Sequence, residues 1–179
     1  NSAKIENVRY EQKVLNDEQA LLDVIFTIEV QKSDEYQIYF GAKPYHFDLK
    51  TGINTVKIPV EISKPILWWS NGLGVPHQYA FEFQLRMNNK QLDKKQLKIG
   101  LRTIELIQQK DEKGTGFAFK LNGKMVYMKG ANYIPPDSFL PRVKDSIYKA
   151  LVENARKANM NMLRVWGGGV YPDDAFFDA

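Results

Sequence analysis

The sequence predicts a mainly β chain: an antiparallel β-sandwich followed by the opening β/α units of an incomplete TIM barrel. Three observations carry this. Alternating apolar and polar residues recur in about seven runs within the first hundred positions, the density of a sandwich. After Arg102 the pattern changes to strand, helix, strand and the start of another helix. Fewer than half of the 179 residues lie beyond that point, whereas a closed eight-fold β/α barrel takes about 250 residues. The expected organisation is therefore residues 1–103 as a sandwich domain and residues 104–179 as the N-terminal part of a barrel, cut short.

The first run spans residues 5–14. Leu22, Val24, Phe26, Ile28 and Val30 form the next alternating set. They are followed by Tyr36, Ile38 and Phe40, then Tyr45, Phe47 and Leu49, then Ile58, Val60 and Ile62. Residues 78–87 are the clearest case: Tyr79, Phe81, Phe83, Leu85 and Met87 share one face of a two-residue period. Asn88-Asn89 signals a turn, and the pattern resumes through Leu97, Ile99 and Leu101. Pro44, Gly52, Pro65, Gly72, Gly74 and Pro76 are expected between runs, where they interrupt no ladder.

Beyond Arg102, residues 104–107 read as a short strand and 110–116 as a polar loop. Asn122-Gly123 supplies the two positive-φ residues of a tight I′ hairpin turn joining 117–121 to 124–128. Residues 129–133 read as the next strand and 134–142, with three prolines, as a loop. Asp145 is expected to cap a helix that presents Ile147, Leu151, Ala155 and Ala158 on one face and ends at Asn159. Residues 160–166 read as a buried strand, followed by Gly167-Gly168-Gly169. Pro172, Asp173 and Asp174 open a second helix.

Composition narrows the chemistry. With 44% hydrophobic and 26% charged residues the chain is a folding one. Zero cysteine excludes disulfides, thiolate metal sites and cysteine nucleophiles, and two histidines leave little for a histidine metal site or a Ser–His relay. No metal and no cofactor is expected. The net charge of +4 is spread evenly and forms no basic stripe, so nucleic acid is not an expected partner. No apolar run approaches the ~20 residues of a membrane span, and no membrane partner is expected. The chain opens on Asn1, without an initiator methionine or secretory segment, and reads as a cut or processed end.

Barrel chemistry sits at the carboxyl ends of strands. Two such ends are visible, residues 130–137 and 164–169. Asn132 offers a donor and an acceptor, Asp137 an acceptor, Arg164 a permanent cation and Trp166 a flat stacking surface. Each has a plainer alternative: a turn cap for Asn132 or Asp137, an ion pair of Arg164 with Asp173 or Asp174, a flexible loop for the glycines. The glycines lack GxGxxG spacing and a Walker lysine, which excludes nucleotide binding. Arginine and tryptophan together at a strand end favour a ligand site. Trp68 and Trp69 invite a sugar-stacking role, but beside Pro65 and a glycine-rich loop, with no acidic or amide cluster around them, they read as a structural plug at the end of the sandwich or at a contact with a neighbouring domain. His77, in the same loop, reads as a surface or interface residue.

Residues 129–135 (Lys-Gly-Ala-Asn-Tyr-Ile-Pro), with Asp137 and Phe139, resemble the first barrel strand and loop of β-mannosidases of glycoside hydrolase family 2. Residues 158–171, containing Asn-Met-Leu-Arg-Val-Trp-Gly-Gly-Gly, resemble their second strand and loop. The Leu67-Trp68-Trp69-Ser70-Asn71-Gly72-Leu73-Gly74 segment is similar to the immunoglobulin-like domain that precedes the barrel in the wider family, and residues 100–104 to the join. Ser70 stands where proline is usual and Tyr133 where tryptophan is frequent. The resemblance implies an immunoglobulin-like sandwich and a retaining exo-acting enzyme that removes terminal β-linked mannose from oligosaccharides, in a periplasmic or secreted setting. It places the two catalytic glutamates on later strands, so no catalytic residue is expected here, and Glu105, Glu112 and Glu153 are not candidates. Arg164 would hydrogen-bond the nucleophile, Trp166 would line the terminal-sugar pocket, and Asn132 and Asp137 would stand at its rim. The alternatives are a carbohydrate-binding or spacer sandwich, or another glycosidase of the family, of β-galactosidase or β-glucuronidase type.

Overall fold

In a computed structural model that describes residues 2–179, the chain divides into two compact units. One runs to Leu67 and resumes over His77–Leu101. The other comprises Trp68–Pro76 and Arg102–Ala179.

The first unit holds seven strands: β1 (Ala3–Leu15), β2 (Gln19–Val30), β3 (Asp34–Phe40), β4 (Lys43–Leu49), β5 (Gly52–Ser63), β6 (Tyr79–Met87) and β7 (Lys90–Ile99). All pairings are antiparallel, in two sheets ordered β1-β2-β5 and β4-β3-β6-β7. The two-residue periods expected from the sequence set the inner faces. Leu22, Val24, Phe26, Ile28 and Val30 of β2 are buried, as are Phe81, Phe83 and Leu85 of β6. These faces share one core, in which the Phe26 and Phe83 rings meet edge to face at 5.0 Å. The sandwich is held by this apolar contact between sheets.

Pro44 and Gly52, expected between runs, fall inside the ladders. Pro44 is the second residue of β4 and Gly52 the first of β5. Both are edge strands. An edge has one unpartnered side, where a residue without an N–H removes no ladder bond, and Pro59 is accommodated in β5 as well.

The second unit contains β8 (Ile104–Ile107), β9 (Lys110–Asp111), β10 (Gly114–Thr115), β11 (Ala118–Leu121), β12 (Lys124–Val126), β13 (Gly130–Tyr133), α1 (Asp145–Lys157), β14 (Met162–Val165) and α2 (Asp174–Phe177). Strands β8, β11 and β12 form an antiparallel sheet in the order β12-β11-β8. Asn122 (φ 50°) and Gly123 (φ 76°) make the β11–β12 turn, as their sequence requires. The expected polar loop 110–116 is instead a small hairpin, β9 with β10. A two-residue ladder leaves no periodic pattern to read.

Strands β13 and β14 run parallel, connected through α1. The helix starts at Asp145 itself; the cap position is Lys144, which makes no side-chain cap bond. Asp145 thus stands in the first turn, where its charge complements the helix dipole. At the other end Asn159 takes the left-handed conformation (φ 56°), and Met160 N–H returns to the Ala155 carbonyl. Asn71 donates its amide to the Arg156 and Met160 carbonyls, tying the Trp68–Pro76 loop to the end of α1.

Candidate functional site

One face of the β13–β14 pair is covered and the other is open. Tyr133 on β13 packs with Val143, Tyr148 of α1 and Phe176 of α2, and Leu163 and Val165 of β14 join the same cluster. The centre of the α1 contact is Tyr148, with Leu151 and Val152 beside it, rather than the Ile147 stripe expected; Ile147 is exposed. Side chains alternate across a strand, so the residues between, Asn132 and Arg164, stand on the face turned away from the helices. Both are exposed. They are direct register partners, and the Arg164 Nη1 donates to the Asn132 Oδ1 at 3.1 Å. Among the described residues no carboxylate pairs with Arg164; the alternative pairing with Asp173 or Asp174 is not formed.

Two features fix the strand pair. Gly130 lies so close to the Met162 carbonyl that a Cβ would occupy the same space. Asn161 accepts from the Lys129 N–H at 2.8 Å and donates to the Tyr127 carbonyl at 3.0 Å, aligning the start of β14 with the start of β13. Asn161 opens the Asn-Met-Leu-Arg-Val-Trp run, but its bracing role depends on a backbone segment over thirty residues away, which the sequence does not show.

Trp166 continues the ladder, its N–H donating to the Tyr133 carbonyl at 3.0 Å. Its indole is 44% exposed. Gly168 runs against the indole ring so closely that a side chain there would displace the ring, and Gly169 packs between Pro135 and the same ring. The middle glycine answers a steric demand rather than a need for positive φ. Asp137 does something else: its Oδ1 accepts from the Phe139 N–H at 2.7 Å, bracing its own loop just before a short 3₁₀ turn. No hydrogen bond joins it to Asn132 or Arg164 among the described residues. The structure brings together Asn132, Arg164 and the strand end bearing Trp166, and gives Asp137 a turn-bracing role.

Two glutamates of this unit stand on other elements. Glu153 is bound by both nitrogens of the Arg156 fork, at 2.7 and 2.8 Å, which holds its carboxyl down to about 2. Glu105 lies on β8, opposite Lys120 of β11. Among the described residues no group of three or more His, Asp or Glu has metal-holding geometry, and no helix is long and apolar enough to cross a membrane.

The tryptophan pair is engaged on the ring faces. The Arg102 guanidinium lies 4.8 Å from the Trp68 ring centroid and the Lys124 ammonium 5.1 Å from that of Trp69. Asn122 secures the loop, its Nδ2 donating to the Trp68 carbonyl and its Oδ1 accepting from the Thr103 N–H. His77 meets Tyr79 edge to face at 4.7 Å.

Tyr133 carries an unexpected feature. Its hydroxyl is buried and has no partner in good hydrogen-bond geometry, the Tyr148 hydroxyl being its polar neighbour; burial pushes it up to about 12, with the Tyr148 contact and then Asp173 adding in the same direction. Removing an unsatisfied buried hydroxyl recovers its desolvation cost. Tyr133→Phe is therefore expected to leave stability unchanged or raise it, by up to about 1–3 kcal/mol. Urea unfolding followed by tyrosine fluorescence or amide exchange checks it, and a clear loss of stability would reveal a partner for the hydroxyl.

The described chain is a seven-stranded antiparallel sandwich followed by a β-α-β unit that carries a cation and an exposed indole at its strand ends. The chain belongs to the glycosyl hydrolases family 2, whose family model matches residues 3–102. It is 34% identical to Beta-mannosidase B of Aspergillus flavus, over 99% of this chain and 22% of that protein. Among solved structures, it is similar to the beta-D-mannosidase of Dictyoglomus thermophilum at 38% identity and a TM-score of 0.88, covering 99% of this chain and 23% of that one. The exo-chitosanase of Amycolatopsis orientalis, at 23% identity, shares the fold, with a TM-score of 0.81 and coverage of 99% and 21%. The chain thus spans about a fifth of the length of the relatives it matches.

Proposed function

We propose that this chain forms the immunoglobulin-like domain (residues 1–103) and the first strands of the (β/α)8 catalytic barrel (residues 104–179) of a retaining exo-β-mannosidase. The substrate is a mannose-terminated oligosaccharide. The observation that carries the reading is the Asn132–Arg164 pair on the helix-free face of a parallel β-α-β unit, with Trp166 at the carboxyl end of β14. In a β/α barrel that face is the interior and that end is the active one. Similarity to two β-mannosidases, at 34% and 38% identity, favours β-mannosidase within the family. Exposed Phe117, Tyr127 and Tyr171 in the second unit further support a barrel that additional strands cover.

In this reading Arg164 donates to the carboxylate nucleophile and favours its ionised form. Trp166 stacks on the terminal sugar. Asn132 and Asp137 stand at the rim. Retention needs two carboxyl groups about 5–5.5 Å apart, and this reading assigns both to other strands of the barrel.

The test is kinetic. The full-length gene product should hydrolyse an aryl β-mannoside, release the β-anomer first as followed by proton NMR, and prefer mannoside over galactoside or glucuronide. The 179-residue chain alone should give no turnover above a no-protein control. First release of the α-anomer, or preference for another sugar, overturns the assignment. Turnover by the isolated chain, surviving repurification, overturns the placement of the carboxylates. The carbohydrate-binding alternative through Trp68 and Trp69 is disfavoured by the cations lying against both indoles.

A further inference from the structure

Arg164 is a long, flexible cation on an open sheet face, with large rotamer freedom to lose. Among the described residues one group holds its guanidinium, the Asn132 amide. We infer that Asn132 is a positioning residue, which aims the Arg164 guanidinium through a neutral acceptor while leaving its charge free for an anionic group; this rests on the reading of that face as the hydrolytic one. The bond follows from backbone register: Asn132 and Arg164 face each other directly across the parallel pair, one residue from the packed Tyr133 and Val165. Rigid strands rather than loops therefore set the geometry.

The choice of amide has chemical consequences. A guanidinium has five N–H donors, and Asn132 takes one, on Nη1. The rest remain for a carboxylate. A carboxylate at position 132 would instead take a bidentate grip and cancel the charge the site depends on. The guanidinium in turn orients the amide. Its donors require an acceptor, so Oδ1 faces Arg164, and Nδ2 is left to donate to a ligand oxygen.

The test compares Asn132→Ala and Asn132→Asp, both at an exposed position. In the ¹⁵N-labelled 179-residue chain at low temperature, Arg164 should show resolved Nη signals, from slowed rotation about Cζ–Nη, that collapse to an averaged signal in Asn132→Ala. Identical averaged signals in both proteins overturn the inference. In the full-length gene product acting on an aryl β-mannoside, Asn132→Ala should lower kcat about tenfold with KM within about twofold. Asn132→Asp should also lower kcat, but its activity relative to wild type should rise as the pH falls and the introduced carboxyl becomes a neutral acceptor. A merely structural role would not produce that pH dependence. A kcat for Asn132→Ala within twofold of wild type, or a flat Asp-to-wild-type ratio across pH, overturns the inference while the proposed function stands. A wild type inactive on β-mannosides rejects the proposed function, and the Arg164 signals then decide the inference alone.

Discussion

Phe83→Ala should destabilise the sandwich by about 3–5 kcal/mol, the cost of emptying a fully buried aromatic site. Phe83 is completely buried and is the hub of the aromatic core. Its ring lies 5.0 Å from Phe26 on the facing sheet, 5.1 Å from Phe40 and 6.2 Å from Phe81. The inner faces are strands with fixed register, so the backbones cannot close over the void. A domain of this size has only about 5–15 kcal/mol to lose, so the variant should unfold at a much lower urea midpoint. An unchanged m-value would show that stability, not the denatured state, has changed. Phe117→Ala is the control. That ring is 67% exposed in the second unit, and its loss should stay within about 0.5 kcal/mol. Equal effects at the two positions would mean that the alternating faces do not define the core.

The sandwich was legible because an antiparallel sheet with one wet face writes its geometry into the sequence. Tyr79, Phe81, Phe83, Leu85 and Met87 mark the inner face of β6 without help from any other strand. The turn at Asn122-Gly123 was legible for a local reason too: both residues adopt positive φ. What the sequence does not spell out is a non-local partner or an element too short to have a period. The loop Trp68–Pro76 lies between two sandwich strands in sequence yet makes its contacts in the second unit, because Asn71 and Asn122 bond to or from backbone far along the chain. No window of sequence contains that. The β9–β10 ladder is too brief to have a period. Of the expected α1 stripe, Leu151 packs against the core and Ile147 is exposed, while the centre of the contact is Tyr148, whose polar tip disguises its apolar body.

The site divides along the same line. The residue types at the strand ends pointed to Asn132, Arg164 and Trp166, and the resemblance of the surrounding segments supplied their expected roles. The bond between Asn132 and Arg164 needed a register linking positions far apart in sequence, which composition and spacing do not carry. Asp137 shows a local role beside the proposed one: its carboxylate braces a turn by accepting from the Phe139 N–H two residues on.

Gly130→Ala is expected to break the site at its base. A Cβ at position 130 would collide with the carbonyl of Met162, a backbone atom with no rotamer through which to retreat. Gly130 and Met162 are register partners at the entry of the β13–β14 pair, so relief requires the strands to part or slip. A one-residue slip would turn Asn132 or Arg164 from the open face to the packed one, where Tyr133, Leu163 and Val165 meet the helices. The expected outcome is a second unit that exchanges its β13 and β14 amides much faster than wild type, while protection in β2 and β6 is retained. The loss should be about 2–4 kcal/mol, larger than the ~1 kcal/mol typical of a point mutant. Asn161→Ala, which removes two bonds at the same strand entry without a clash, should cost less, about 1–2 kcal/mol. Wild-type exchange in β13 and β14 of Gly130→Ala would show that the strands separate without penalty. The Asn132–Arg164 geometry would then owe nothing to the close approach of these two backbones.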